Sequence, residues 1–252
     1  MATGARAAIE TVTFDFWRTL MAETPESNAA NQAFRLAGIG RLLAEAGHPV
    51  AQAALEAAHE ASGERLVEIW GTLRDVSLEE HVGIFLACLD PGLPGRLAPA
   101  ALEAVTEAYA TAVLHRPPVL AEGAREAIEA LRARGVTLGV VSNSGRTPGR
   151  VLRRLLERSG VLDAFQTLSF SDEVGWRKPH AEIFRRTLGR VGGRPETALH
   201  VGDDLEADVG GARAAGMRAL LYLPDGRLGP SGSGEATLRR FSDLPALLGR
   251  LP

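Results

Sequence analysis

The chain has 252 residues and a formal net charge of −3, enough for one large domain or two modest ones and no charge signature of a polyanion binder. Frequent Gly and only 5% aromatic residues suit an α/β enzyme with many tight turns better than an all-β sandwich. Cys88 stands alone in an apolar run, which excludes an internal disulfide and makes a thiolate metal site unexpected. No apolar run is long enough to span a bilayer, and no basic-then-apolar leader opens the sequence, so a cytoplasmic protein is expected.

In chain order, Ile9 to Phe14 is β-branched and apolar and predicts a buried strand, running directly into Asp15-Phe16-Trp17-Arg18-Thr19-Leu20. The pattern then turns helical. Apolar residues recur at helical spacing from Asn28 to Ala46, and a second helix is expected over Ala51 to Trp70. Ser77 and Glu80 form a capping box that starts a third. Pro91 to Pro94 breaks the pattern, and a fourth helix follows over Pro99 to Leu114. No β-type alternation interrupts this block, which predicts a small all-helical unit inserted into something else.

From Pro117 strands and helices alternate. Glu122 to Arg134 reads as a helix closed by Gly135, and Val136 to Val141 as a strand ending in Ser142-Asn143. Thr147 and Pro148 are expected to open a helix reaching Arg158, as cap and first-turn residue. Phe165 to Phe170 is a strand, Trp176-Arg177-Lys178-Pro179 a loop, and His180 to Val191 a helix. Thr197 to Val201 is a strand that meets Gly202-Asp203-Asp204, Glu206 to Ala215 is helical, and Ala219 to Leu223 is the expected last strand. Asp225 to Glu235 is Gly- and Ser-rich and expected to be mobile; a short helix over Ser242 to Leu248 closes the chain. Such repeated units imply a parallel sheet with helices on both faces. The Arg150, Arg153, Arg154, Arg158 series follows helical spacing and reads as a solvated face, not a nucleic-acid patch.

Four polar clusters each follow a predicted strand, so a parallel sheet carries them to one edge: Asp15 with Thr19, Ser142 with Asn143, Lys178, and Asp203 with Asp204 and Asp208. Neighbouring carboxylates repel in a partly desolvated site, and a divalent cation relieves that repulsion. All-oxygen ligands point to Mg²⁺. Lys178 and the Ser142 hydroxyl are placed to hold phosphoryl oxygens, and a carboxylate attacking phosphorus forms an aspartyl-phosphate. Trp176, His180 and His200 lie near these motifs and are read as packing or loop residues.

With these four clusters in this order, the chain resembles the haloacid dehalogenase (HAD) superfamily over essentially its whole length. Asp15 to Leu20 match the first motif, Val141-Ser142-Asn143 the second, Arg177-Lys178-Pro179 the third, and Gly202 through Asp208 to Met217 the fourth. The resemblance implies a Rossmann-like α/β core over 1–20 and 117–252, with an all-helical cap over 21–116. It implies Asp15 as nucleophile and Mg²⁺ ligand and Asp203 as a second ligand. Asp204 and Asp208 would support the metal, the backbone carbonyl of Trp17 would be a further ligand, and Thr19 would position the loop. Ser142, Asn143, Lys178 and Arg18 would bind the transferred group or substrate. A small anionic substrate is implied, with no nucleic-acid or membrane partner, in a monomer or homodimer.

One departure stands out. In the superfamily's phosphatases the residue two after the nucleophile is a second Asp, the general acid and base; here it is Trp17, and an indole transfers no proton near neutral pH. Superfamily dehalogenases also lack that Asp, often with an aromatic residue in its place, and phosphonate-cleaving members lack it as well. The first reading is a Mg²⁺-dependent phosphatase of a small metabolite with a good leaving group, favoured by the acid-rich fourth motif. The second is a 2-haloacid dehalogenase, favoured by Trp17, with Arg18 or Arg35 holding the substrate carboxylate. The third is a catalytically weakened member that binds a ligand or partner.

Overall fold

The computed structural model describes residues 8–224 and 236–249, so the Asp225 to Glu235 segment expected to be mobile lies outside the described residues. Strand β1 (Thr11–Phe14) is buried at all four positions and pairs along both edges, which places it in the middle of the sheet. The chain leaves it through β2 (Met21–Ala22) and builds a helical layer from α1 (Pro25–Glu45), α2 (Gln52–Gly71), α3 (Leu78–Leu89), α4 (Leu93–Arg96) and α5 (Pro99–Thr111). It returns through β3 (Val119–Leu120), which pairs antiparallel with β2. Then follow α6 (Ala124–Ala133), β4 (Thr137–Ser142), α7 (Gly149–Arg158), β5 (Thr167–Phe170), α8 (Ser171–Val174), α9 (Ala181–Val191) and β6 (Ala198–Gly202). A π-helical stretch over Leu205–Gly210 leads into α10 (Gly211–Ala214), β7 (Arg218–Tyr222), β8 (Thr237–Leu238) and α11 (Leu244–Leu247).

The main sheet has the order β5-β4-β1-β6-β7-β8, and every pairing in it is parallel. Successive strand residues point to opposite faces, and both faces are covered, so the strands read as nearly continuous apolar runs. Val12, Phe14, Leu138, Val140, Leu199, Val201 and Leu220 join the core on the side of α1, α6 and α7. Val141, Ala198, Ala219 and Leu221 join a second core with Ile183, Phe184 and Leu188 of α9. In the helical layer, Leu36, Ile39 and Leu43 of α1 pack in one cluster with Leu55 of α2, Phe85 of α3 and Val105 and Tyr109 of α5. Full burial of each such side chain contributes about 1.5–3 kcal/mol.

The Ser77–Glu80 capping box forms as expected: Glu80 N donates to Ser77 Oγ at 3.3 Å and Ser77 N to Glu80 Oε2 at 2.9 Å. A second box, Thr24 with Ser27, starts α1 three residues before the expected boundary, with Pro25 in its first turn.

Four expectations are corrected. Thr147 is not a cap: Pro148 is the N-cap residue of α7, and the Gly149 N–H donates across the structure to the Asp172 carboxylate at 3.1 Å. The strand expected over Ala219 to Leu223 is not the final one, because β8 adds a short edge. The helix expected over Glu206 to Ala215 divides into the π-helical stretch and α10. The expected absence of β structure after Leu20 fails at Met21–Ala22, where β2 forms. Among the described residues, no helix is long and apolar enough to cross a membrane.

Candidate active site

The sheet delivers Asp15 to its carboxyl edge on a tight loop. Asp15 N donates to Val201 O at 2.9 Å, continuing the β1–β6 ladder one residue past the strand. The chain then folds back: Met21 N donates to Phe16 O at 2.8 Å and Arg18 N to Met21 O at 2.9 Å. Arg18 takes a left-handed conformation, φ 58°, which costs a non-glycine residue about 1–3 kcal/mol and marks the loop as functional in shape.

Beneath the loop, Lys178 is 5% exposed and lies between two acids. Its Nζ donates to Asp15 Oδ1 at 2.5 Å and also to Asp208 Oδ1. Asp208 is fully enclosed. His200 Nε2 lies 3.1 Å from its Oδ1, and Asp204 N donates to its Oδ2 at 2.9 Å, so both oxygens are engaged. His200 is held in turn by Thr13 Oγ1, 2.9 Å from its Nδ1. Burial pushes the Asp15 carboxyl up to about 7; Asp208 and Asp203 repel its charge further, and Lys178 opposes them. Burial also opposes the charge on Asp208, yet Lys178 and His200 outweigh it and hold that carboxyl well below the usual range. Lys178 itself is raised above its ordinary value, because two carboxylates outweigh the cost of its burial.

Carboxylate oxygens of Asp15, Asp203 and Asp208 all lie within 4.8 Å of one another. Arg18 Nε stands 3.2 Å from Asp203 Oδ2, its side chain half-exposed. Gly202 is required here: a Cβ at this position would sit 2.2 Å from Asp208 Cγ. Carboxylate oxygens are the hard donors a small divalent cation takes, and with both Asp208 oxygens engaged the candidate ligands in this cluster are Asp15 and Asp203. Asp204 stands outside this cluster; its Oδ1 accepts from Glu206 N at 2.9 Å and Ala207 N at 2.8 Å and caps the π-helical stretch.

The remaining expected site residues divide. Trp17, Arg18 and Asn143 line the same cleft of about 220 Å³ as Asp15, Lys178 and the acids. Asn143 spends its amide on the backbone of Lys178, accepting from Lys178 N at 2.8 Å and donating to Lys178 O at 3.1 Å. Its contacts therefore position Lys178. Ser142 is fully buried, with its hydroxyl 3.4 Å from Asn143 O. Thr19 is buried with its hydroxyl unpartnered. The Trp17 ring meets Phe16 edge-on at 4.9 Å.

Asp75, from the turn between α2 and α3, is a site residue that sequence reasoning missed. It accepts from Trp70 Nε1 at 2.9 Å, Arg177 Nη1 at 2.7 Å and Ser171 Oγ. It braces the residue before Lys178 from the helical layer. His200, a packing residue by its sequence, does meet Phe184 edge-on, but it also supports Asp208. Its place on β6, three residues before Asp203, was the available signal. His180 caps α9 and stacks on Trp176 at 3.8 Å, as a loop residue should.

An open parallel sheet with acids and a lysine converging at its carboxyl edge defines a doubly wound α/β architecture with its candidate ligand site at that edge. The chain matches the haloacid dehalogenase-like hydrolase family over residues 9–216 and belongs to that family. It is 35% identical over 121 residues to ribulose-1,5-bisphosphate 5-phosphatase of Halopiger xanaduensis, covering 48% of this chain and 49% of that protein. It is 39% identical over 93 residues to glyceraldehyde 3-phosphate phosphatase of Methanothermobacter thermautotrophicus, covering 36% and 39% respectively. The chain spans about half the length of the curated relatives it matches, or less. The solved structure of 2-haloacid dehalogenase from Pseudomonas syringae superposes with a TM-score of 0.71 at 25% identity, covering 97% of this chain and 100% of that one.

Proposed function

We propose that the chain is a Mg²⁺-dependent phosphatase of a small phosphorylated metabolite, with residues 21–116 as the cap over a core of 1–20 and 117–252. The observation that carries this reading is the cluster of Asp15, Asp203 and Asp208 within 4.8 Å of one another, with Lys178 as the buried cation among them. A site built only to displace halide has no use for so much negative charge. Similarity to two proteins named as phosphatases adds support.

Asp15 and Asp203 would hold the cation, with the Trp17 carbonyl as a neutral third donor. Asp208, whose oxygens are both engaged, orients Lys178, and Asp204 fixes the loop that carries Asp203. When bound, Mg²⁺ screens the nucleophile from the phosphoryl group and neutralises charge in the transition state. Asp15 attacks phosphorus; a carboxylate–phosphorus bond forms as the ester oxygen leaves. Lys178 stays protonated between its two acids and stabilises the phosphoryl oxygens. Water then attacks the aspartyl-phosphate, releasing phosphate and restoring Asp15. Trp17 gives the leaving oxygen no proton, which confines efficient turnover to good leaving groups.

Trp17 also favours a second reading, carbon–halogen cleavage, in which the leaving halide needs no proton. One assay series separates the two: p-nitrophenyl phosphate, acetyl phosphate and 2-haloacids, each with Mg²⁺ and with EDTA. Phosphate release that requires Mg²⁺ and disappears in Asp15→Asn is the expected result. Halide release that survives EDTA would overturn it.

A further inference from the structure

A second cavity of about 350 Å³ lies between the helical layer and the loop after β4, and Trp17 lines both it and the Asp15 cleft. Two guanidinium groups line this cavity. Arg35 of α1 is buried; its Nε donates to the Tyr109 carbonyl at 3.0 Å and its guanidinium lies 5.1 Å from the centre of the Tyr109 ring, while Nη1 and Nη2 have no hydrogen-bond partner among the described residues. Arg146, four residues after Ser142, donates to Tyr109 Oη at 2.8 Å, Ser62 Oγ at 3.2 Å and His59 O at 2.8 Å. Every one of these acceptors is neutral. The lining includes one carboxylate, Glu23, and among the described residues no carboxylate oxygen comes within 4 Å of either guanidinium.

Enclosed cations are normally paired, because removing a charge from water costs several kcal/mol unless a counter-charge replaces the lost hydration. Here two like charges line one cavity, Arg35 buried and Arg146 half-buried. Beside them, His59 Nδ1 is buried with no hydrogen-bond partner. Neither guanidinium has an anionic partner among the described residues.

We propose that this cavity is a distal anion subsite, in which Arg35 and Arg146 hold a carboxylate or a second phosphate on the substrate whose phosphoryl group reacts at Asp15. The assignment rests on the phosphatase reading of the Asp15 cleft. The loop Ser142–Thr147 runs from one space to the other, with Asn143 in the first and Ser144 to Thr147 in the second. A substrate passing Trp17 thus meets the acid cluster that would hold the metal at one end and two cations at the other. The preferred substrate class is a small phosphate ester that carries a second anion. Arg forks are suited to that end, since carboxylate and phosphate accept their N–H groups in parallel pairs. The charge state of His59 agrees: burial and the two nearby guanidiniums push its imidazole down to about 4, as expected in a positive enclosure.

The test compares kcat/KM for three aryl phosphates that share a good phenolic leaving group, 4-carboxyphenyl phosphate, 1,4-phenylene bisphosphate and 4-(hydroxymethyl)phenyl phosphate, which end in a carboxylate, a second phosphate and a hydroxyl. The anion-bearing esters should lead by about 10- to 100-fold, chiefly through KM, as the loss of a charge-assisted hydrogen bond predicts. Arg35→Met and Arg146→Met should reduce that ratio towards one. No preference, or one that survives both substitutions, overturns the proposal. Which of the two anionic esters leads identifies the distal group. Arg35→Lys keeps a cation without the fork and should lower the same ratio, even if Arg35→Met unfolds the helical layer. A calorimetric titration of Asp15→Asn with malonate reads the subsite without turnover. Binding should be seen there and lost on adding Arg146→Met. Such binding without phosphate release from any ester would overturn the phosphatase reading and leave the subsite standing. Phosphate release with no malonate binding and no anion preference would overturn the subsite alone.

Discussion

Arg177 Nη1 donates to Asp75 Oδ2 at 2.7 Å, joining the α2–α3 turn to the residue that precedes Lys178. The joint is reinforced by the backbone, where Arg177 N donates to Leu73 O at 3.0 Å, and by Arg177 lying 4.2 Å from the centre of the Trp70 ring. The helical layer and the lysine loop are therefore mechanically one piece at this point.

Removing one partner of such an enclosed pair leaves the other unpaired, at a cost of about 3–5 kcal/mol. Asp75→Asn should lower the urea unfolding free energy by an amount of that order, and should lower kcat through Lys178. The pH dependence follows in sign. Burial alone would raise the Asp75 carboxyl, but His81, Arg177, Ser171 and Trp70 together hold it down at about 2. A carboxyl depressed on folding stabilises the fold above its unfolded value, near 4, and loses that contribution as pH falls towards 2. Unfolding curves between pH 5 and pH 2 should show a loss that Asp75→Asn lacks; parallel curves would count against it.

Gly202→Ala tests the packing beneath the acids. Its Cβ would stand 2.2 Å from Asp208 Cγ, so Asp208 must move and Lys178 must follow. Overpacking of this kind costs about 1–3 kcal/mol, and a fall in kcat of at least tenfold is expected from misplacing Lys178. Stopped assays alongside thermal melts would separate the two effects.

Metal removal should be visible without any substrate. Mg²⁺ at about one hundred times its dissociation constant should stabilise the protein by about 2.7 kcal/mol, read as a rise in melting temperature. Asp203→Asn should abolish most of that rise. An equal rise in the variant would remove Asp203 from the ligand set.

Trp17→Asp should restore a proton donor beside the nucleophile. Such a group contributes typically about 10²–10⁴ in rate, so phosphate release from a poor leaving group such as glycerol phosphate should increase markedly, and less so from p-nitrophenyl phosphate. An unchanged or lower rate would sink the account of the missing acid.

The strand-end motifs were legible because a parallel sheet leaves them little choice of place: Asp15, Ser142 and Asp203 each end or follow a buried strand, and all strands of the main sheet point the same way. The Ser77–Glu80 capping box was legible for a similar reason, being written within four residues, whereas the Thr24–Ser27 box, with Ser in place of Glu or Gln at its third helical position, was not. The failures involve partners far apart in sequence. Asp172 supplies the α7 cap expected of Thr147, and Asp75 finds Arg177 102 positions further along the chain. β8, at Thr237–Leu238, is too short to show any period. Asn143 was legible as a site residue but not as the clamp on Lys178, since composition does not say which way an amide faces.

The β2–β3 pair sets Met21 opposite Leu120 and Ala22 opposite Val119, so the chain departs from the sheet and rejoins it at adjacent backbones. Residues 23–118 are therefore an excursion closed by four paired residues, and their length hardly enters the entropy of aligning β1 with β4. The same socket would accept an excursion of another size or sequence without shifting a register in the main sheet, provided that it still supplies a partner for Arg177. Under the proposed function, substrate preference and catalytic scaffold can then diverge at different rates, because a change in the excursion leaves the hydrogen-bond ladder of the main sheet intact.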